Sequence, residues 1–134
     1  MTSNRKFPND PQAVRAARRF AIDELPGYAP ELLDVVELLV SELAGNCVRH
    51  TNSSFDVEVS RDRRKIRVAV SDRGPGKPAV QHVDTSAVAG RGLALVETLS
   101  SSWGVRASRR PGGGKAVWFV LELDDERIRT RMVA

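Results

Sequence analysis

Apolar positions along this chain fall into two successive periods. Ala13, Val14, Ala17, Phe20, Ala21 and Leu25 recur at helical spacing behind Pro11, a residue suited to the first turn of a helix, and Pro26-Gly27 ends the run. Pro30 and Glu31 open a second predicted helix. Its stripe is Leu32, Val36, Leu39, Leu43 and Cys47, and it ends near His50, ahead of Asn52-Ser53-Ser54. The period then drops to two. Phe55, Val57 and Val59 alternate with polar residues, and so do Ile66, Val68 and Val70, which predicts an antiparallel hairpin with one face buried. Pro75 to Ala89 follows neither period and reads as a loop with at most a short helix. Helical spacing returns from Gly92 to Leu99. Val105–Arg109 and Ala116–Leu123 read as the last two strands, joined by Pro111-Gly112-Gly113-Gly114. The short Met1–Pro8 stretch reads as an N-terminal strand.

Antiparallel strands with helices between them predict an α+β fold. We expect a two-layer sandwich with a mainly antiparallel sheet, helices on one face and the other face partly solvated. At 134 residues the chain is expected to be a single domain, residues 1–134, with a core over about 10–123 and a charged tail from Asp124.

Composition narrows the function classes. Hydrophobic residues make up 41% and charged residues 28%, the balance of a globular protein rather than a disordered one. No run approaches the roughly 20 apolar residues of a membrane span. Met1 to Asp10 has no apolar signal core, and a lone Cys47 suits a reducing compartment, so a cytoplasmic location is expected. The net charge of +4 gathers at Arg61–Arg67 and Arg106–Lys115. Both clusters coincide with predicted hairpin turns, where solvation explains them without nucleic acid.

Three segments carry candidate chemistry. Glu42 and Asn46 lie one helical turn apart on one face. The Asn carbonyl oxygen suits Mg²⁺, and a Glu one turn earlier can take a proton from a nucleophile attacking a γ-phosphate. The same pair also reads as an ordinary solvated helix surface. Asp72 closes a strand and leads into Arg73-Gly74-Pro75-Gly76. A carboxylate there can accept a hydrogen bond from an adenine amino group, although Asp before Gly is equally a common turn. Gly90-Arg91-Gly92 is expected just ahead of a helix, whose N-terminus and cationic Arg91 favour phosphate; the alternative is a plain loop with a capping glycine. The chain contains neither a P-loop nor the Gly-x-Gly-x-x-Gly dinucleotide fingerprint.

The run Ser41-Glu42-Leu43-Ala44-Gly45-Asn46-Cys47-Val48-Arg49-His50-Thr51 resembles the N box of the ATPase superfamily shared by gyrase, histidine kinases and MutL. Asp72-Arg73-Gly74-Pro75-Gly76 resembles its first glycine box, and Gly90-Arg91-Gly92-Leu93-Ala94-Leu95-Val96 its second. The short format and the Val117-Trp118-Phe119 strand narrow the likeness to bacterial anti-sigma-factor serine/threonine kinases. The resemblance implies a histidine-kinase-like (Bergerat) ATPase fold binding ATP and Mg²⁺. It implies Glu42 as catalytic base, Asn46 as Mg²⁺ ligand and Asp72 as adenine reader. Gly74 and Gly76 would line the base pocket, and Gly90, Arg91 and Gly92 would hold phosphates. Lys77 to Ala89 would form a lid. The implied partners are a sigma factor and an anti-sigma-factor antagonist that receives phosphate on Ser or Thr, with a homodimer also expected and neither nucleic acid nor membrane.

The chain departs from that pattern in places. Gly45 stands where relatives often carry Thr, Lys115-Ala116 replaces a Thr that contacts adenine in many members, and the lid is short, with no lysine at its end. Two alternatives remain: an ATP-gated binding module without transfer, and a fragment of a sensory kinase or ATPase, which predicts further domains. His50, His82, Cys47, Trp103 and Trp118 have simpler readings as capping, surface or packing residues, and two His with one Cys do not make a zinc site.

Overall fold

A computed structural model of the protein describes residues 1–73, 87–107 and 114–125, with the backbone alone at 87–92. The elements run β1 (Thr2–Phe7), α1 (Pro11–Asp23), α2 (Pro30–His50), β2 (Phe55–Arg61), β3 (Lys65–Asp72), α3 (Ala87–Leu99), β4 (Ser102–Ala107) and β5 (Lys115–Glu122). Local chemistry sets the helix ends. Asp10 caps α1 by accepting the Gln12 N–H at 2.9 Å, with Pro11 in the first turn, where its missing N–H is harmless. At the far end of α2, the Thr51 hydroxyl and backbone N–H both donate to the Cys47 carbonyl.

The strands form one sheet in the order β1-β2-β3-β5-β4, every neighbouring pair antiparallel. The last strand among the described residues is therefore interior, and β4 is an edge. Strand alternation sends Phe55, Val57 and Val59, then Ile66, Val68 and Val70, then Val117, Phe119 and Leu121 to one face, where they join the core under the helices. Ala13, Ala17 and Ala21 bring α1 close against this layer, and Leu32, Val36, Leu39 and Leu43 carry α2 into it. The opposite face bears Glu58, Arg67 and Trp118. Arg67 pairs with Glu58 at 3.7 Å and covers the indole, and Trp118 lies over Gly104, where a β-carbon would come within 2.7 Å of the ring. This is the expected α+β sandwich.

Two boundaries differ from the sequence reading. Helix α3 begins at Ala87, so Gly90-Arg91-Gly92 lie within it rather than ahead of it, and the last residues of the expected lid are helical. The Ala87-Val88-Ala89 run extends the helix upstream, and isolated glycines weaken a helix without ending it. Strand β4 starts at Ser102 rather than Val105, because Trp103 and Val105 alternate inward across Gly104 to pair with Phe119 and Val117.

Candidate functional site

At the C-terminal end of β3, the apolar row Ile66-Val68-Val70 ends in a carboxylate. Asp72 pairs with Phe55 in register, so it faces the same side as the core, yet it is buried to 5% exposure. Its Oδ1 accepts the Lys115 backbone N–H at 3.2 Å across the strand pair. Asp72 faces a cleft floored by Val70 and Val117, walled by Leu43, Asn46 and Cys47 of α2, and closed on the other side by Leu93 of α3. The α2 stripe turns polar here, because Asn46 and His50 follow Leu43 and Cys47 onto the same helical flank.

Alternation separates Asp72 from its neighbour. Arg73 goes to the opposite face, where its guanidinium grips Asp56 through Nε at 2.8 Å and Nη2 at 3.2 Å, and its backbone N–H donates to the Ser53 hydroxyl at 3.0 Å. Asp56 is 2% exposed, so this fork holds the chain just where it leaves β3. A second tie fixes the α2 end of the cleft. The Asn9 carboxamide Nδ2 donates to the carbonyls of Cys47, Thr51 and Ser53, at 3.3, 3.0 and 2.9 Å.

The inner wall of the cleft is buried. Burial, reinforced by the Asp72 charge and opposed by Lys115, pushes the Cys47 thiol up to about 12. Cys47 is thus a neutral packing group in the wall. The described residues include no cluster of three or more His, Cys, Asp or Glu able to cage a metal. Any cation here would depend on the Asn46 oxygen together with ligand oxygens and water. Asn46 Oδ1 already holds a positive group, since the Arg49 guanidinium donates Nη2–H to it at 2.6 Å. A hard carboxamide oxygen that attracts a cation fits Mg²⁺ shared with phosphates.

Of the residues singled out from sequence, Asn46 and Asp72 meet in this cleft. Glu42 stands one turn before Asn46 on α2, half-buried, and is not among the residues forming the cleft wall. Gly90, Arg91 and Gly92 belong to the first turns of α3, the helix that closes the cleft at Leu93. Gly74 and Gly76, like most of the expected lid, lie outside the described residues. His50, discounted from sequence, does line the cleft. Sequence reasoning missed Lys115, Gly114, Arg49 and the Asp56–Arg73 fork. Only the β3–β5 pairing brings Lys115 to Asp72, and no local pattern announces a pairing between strands so distant in sequence.

The sequence matches the family described as histidine kinase-like ATPase domain over residues 7–121. Among solved structures it is similar to the histidine kinase domain of the blue-light-activated histidine kinase from Erythrobacter litoralis, at 20% identity and a TM-score of 0.54. That match covers 94% of this chain and 65% of the other, so the chain spans about two thirds of that structure's length. No curated protein matches the chain significantly.

Proposed function

Because the chain belongs to the histidine kinase-like ATPase domain family, we propose that it binds ATP in the cleft between α2, α3 and the β3–β5 pair. The reading goes further: the protein is an anti-sigma factor and a serine/threonine kinase acting on an anti-sigma-factor antagonist. One observation carries the nucleotide site. Asp72 is a buried carboxylate at the end of an apolar row, fixed by the Lys115 N–H and facing a narrow apolar slot. Such a slot takes a flat heterocycle, and the carboxylate reads its amino group.

The chain's other residues then take consistent roles. Asn46 would hold Mg²⁺, which would supply positive charge to offset that of the phosphates. Gly90, Arg91 and Gly92 would hold phosphates as the resemblance implies; with α3 starting at Ala87 their backbone N–H groups lie past the free donors of the first turn, so the Arg91 cation would carry that contact. Gly74 and Gly76 would let the backbone approach the base. In transfer, a Ser or Thr hydroxyl oxygen of the antagonist forms a bond to the γ-phosphorus and the bond to the β,γ-bridging oxygen breaks. ADP leaves, and the hydroxyl proton passes to the Glu42 carboxylate. A sigma factor is the second partner, and a homodimer and a cytoplasmic location belong to the same reading. Among the described residues no helix is long and apolar enough to cross a membrane.

The position of Glu42 favours a second reading. It stands outside the described cleft wall, and a site without a base in reach would bind ATP and set partner affinity without transferring phosphate. Incubation with γ-labelled ATP and candidate antagonist proteins separates the two. Label on the antagonist, lost in Glu42→Ala with nucleotide binding retained, supports the kinase. Nucleotide binding with no labelled partner supports the binding module.

A further inference from the structure

The oxygen assigned above to Mg²⁺ is engaged by a side chain of the same helix. Arg49 folds back along α2, and its Nη2–H reaches Asn46 Oδ1 at 2.6 Å, the short length of a charge-assisted hydrogen bond. We infer that Arg49 occupies the metal's place on Asn46 in the metal-free protein and must withdraw before a cation can bind there. Arg49 thereby sets the metal requirement of nucleotide binding. This inference rests on the ATP site proposed above.

The two occupants exclude one another. Mg²⁺ demands its oxygens at about 2.0–2.1 Å in near-octahedral array, and it cannot share this oxygen with a guanidinium hydrogen aimed at it. Two positive groups on one neutral carboxamide also repel. A guanidinium keeps its charge, so Arg49 yields by moving. It is placed to do so: Arg49 is exposed, and among the described residues it forms no ion pair with a carboxylate that would hold it elsewhere.

Gly45 gives the arrangement room. A β-carbon there would lie 3.1 Å from Arg49 Nη1 and 3.7 Å from Cζ, so the guanidinium lies across the bare backbone of residue 45 to reach Asn46. A side chain at this position would press on the guanidinium and shift it by a few tenths of an ångström. The departure at Gly45 from a pattern that often carries Thr thus has a physical counterpart, since the missing side chain leaves room for an internal cation.

The test is calorimetric titration of the whole chain with ADP, once in EDTA and once in excess MgCl₂, giving the ratio of the two affinities. Arg49→Ala is expected to raise the enhancement by Mg²⁺ about three- to ten-fold, the range for losing an exposed charged contact plus its repulsion of the metal. Gly45→Ala keeps every charge and only crowds the guanidinium, so it should move the ratio the same way, by about two-fold. A ratio unchanged or lowered in either variant overturns the inference while leaving the ATP site intact. Failure of the unmodified chain to bind ADP in either buffer overturns the ATP site itself, and this inference with it.

Discussion

Gly114 stands so close to Asp72 that a β-carbon on it would lie 2.5 Å from the Asp72 carbonyl oxygen and 3.0 Å from Oδ1. Gly114 also has φ +103°, a conformation that side chains rarely adopt. Both constraints act at the point where β5 delivers the Lys115 N–H to the carboxylate. Gly114→Ala therefore combines backbone strain with a contact against main chain that cannot easily move. We expect it to destabilise the fold by about 2–4 kcal/mol. Thermal melting should fall by roughly 5–15 °C, and ADP affinity should fall more than the loss of folded protein explains.

The Asp56–Arg73 fork anchors the exit of β3 from the face opposite the cleft. Asp56→Asn keeps the shape but removes the charge that the Arg73 guanidinium grips. Arg73 is about one third exposed, so water recovers part of the loss, and the expected cost is about 1–2 kcal/mol rather than that of a fully buried pair. ADP affinity should fall about three-fold, because Asp72 is the next residue in the chain. Chemical denaturation and calorimetry measure the two effects separately.

Cys47 connects the cleft wall to pH. Its thiol is raised from 9.0 to about 12 in the folded chain, mainly by burial. An unfolded thiol deprotonates first as pH rises, so above about pH 9 the unfolded state binds fewer protons and stability declines. The slope from this one group approaches ~1.4 kcal/mol per pH unit until about pH 12. Denaturation midpoints should drop across that window in the native chain and less in Cys47→Ala. At neutral pH, alkylation of native Cys47 by iodoacetamide should be slow, and slower still with ADP bound.

On the proposed kinase reading, phosphate transfer would depend on Glu42. Glu42→Gln preserves size and helix propensity and removes the proton acceptor. Transfer from γ-labelled ATP to an antagonist protein should fall by about 100-fold or more, with ADP affinity changed by less than about two-fold. Unchanged transfer would assign the base elsewhere.

The sequence carried the periodic elements well. Helix α2 has the expected bounds because Pro30 and the Leu32-to-Cys47 stripe mark it without ambiguity, and the β2–β3 hairpin follows from strict alternation over Phe55–Val59 and Ile66–Val70. Asp72 was legible as a carboxylate closing a strand next to glycines. Its fixation was not legible. The Lys115 N–H and Gly114 reach it only because β5 inserts beside β3, while β4, earlier in sequence, goes to the edge. The start of α3 was misplaced because glycines at 90 and 92 resemble a loop, whereas the helix runs through them from Ala87. Arg49 was hidden for another reason. Its partner is three residues away on the same helix, and rotamers, not periodicity, decide that contact.

The central claim is that Asp72 reads a nucleotide base from the floor of the cleft. Calorimetric titration with ADP in Mg²⁺, comparing the native chain with Asp72→Asn, tests it most directly. The Asn side chain can still accept the Lys115 N–H, so the fold should persist, with a melting temperature within a few degrees. The account predicts saturable binding by the native chain and at least about a ten-fold loss in the variant, the scale of a buried hydrogen bond to a charged group. Equal affinity in the two proteins, with both folded, would contradict it.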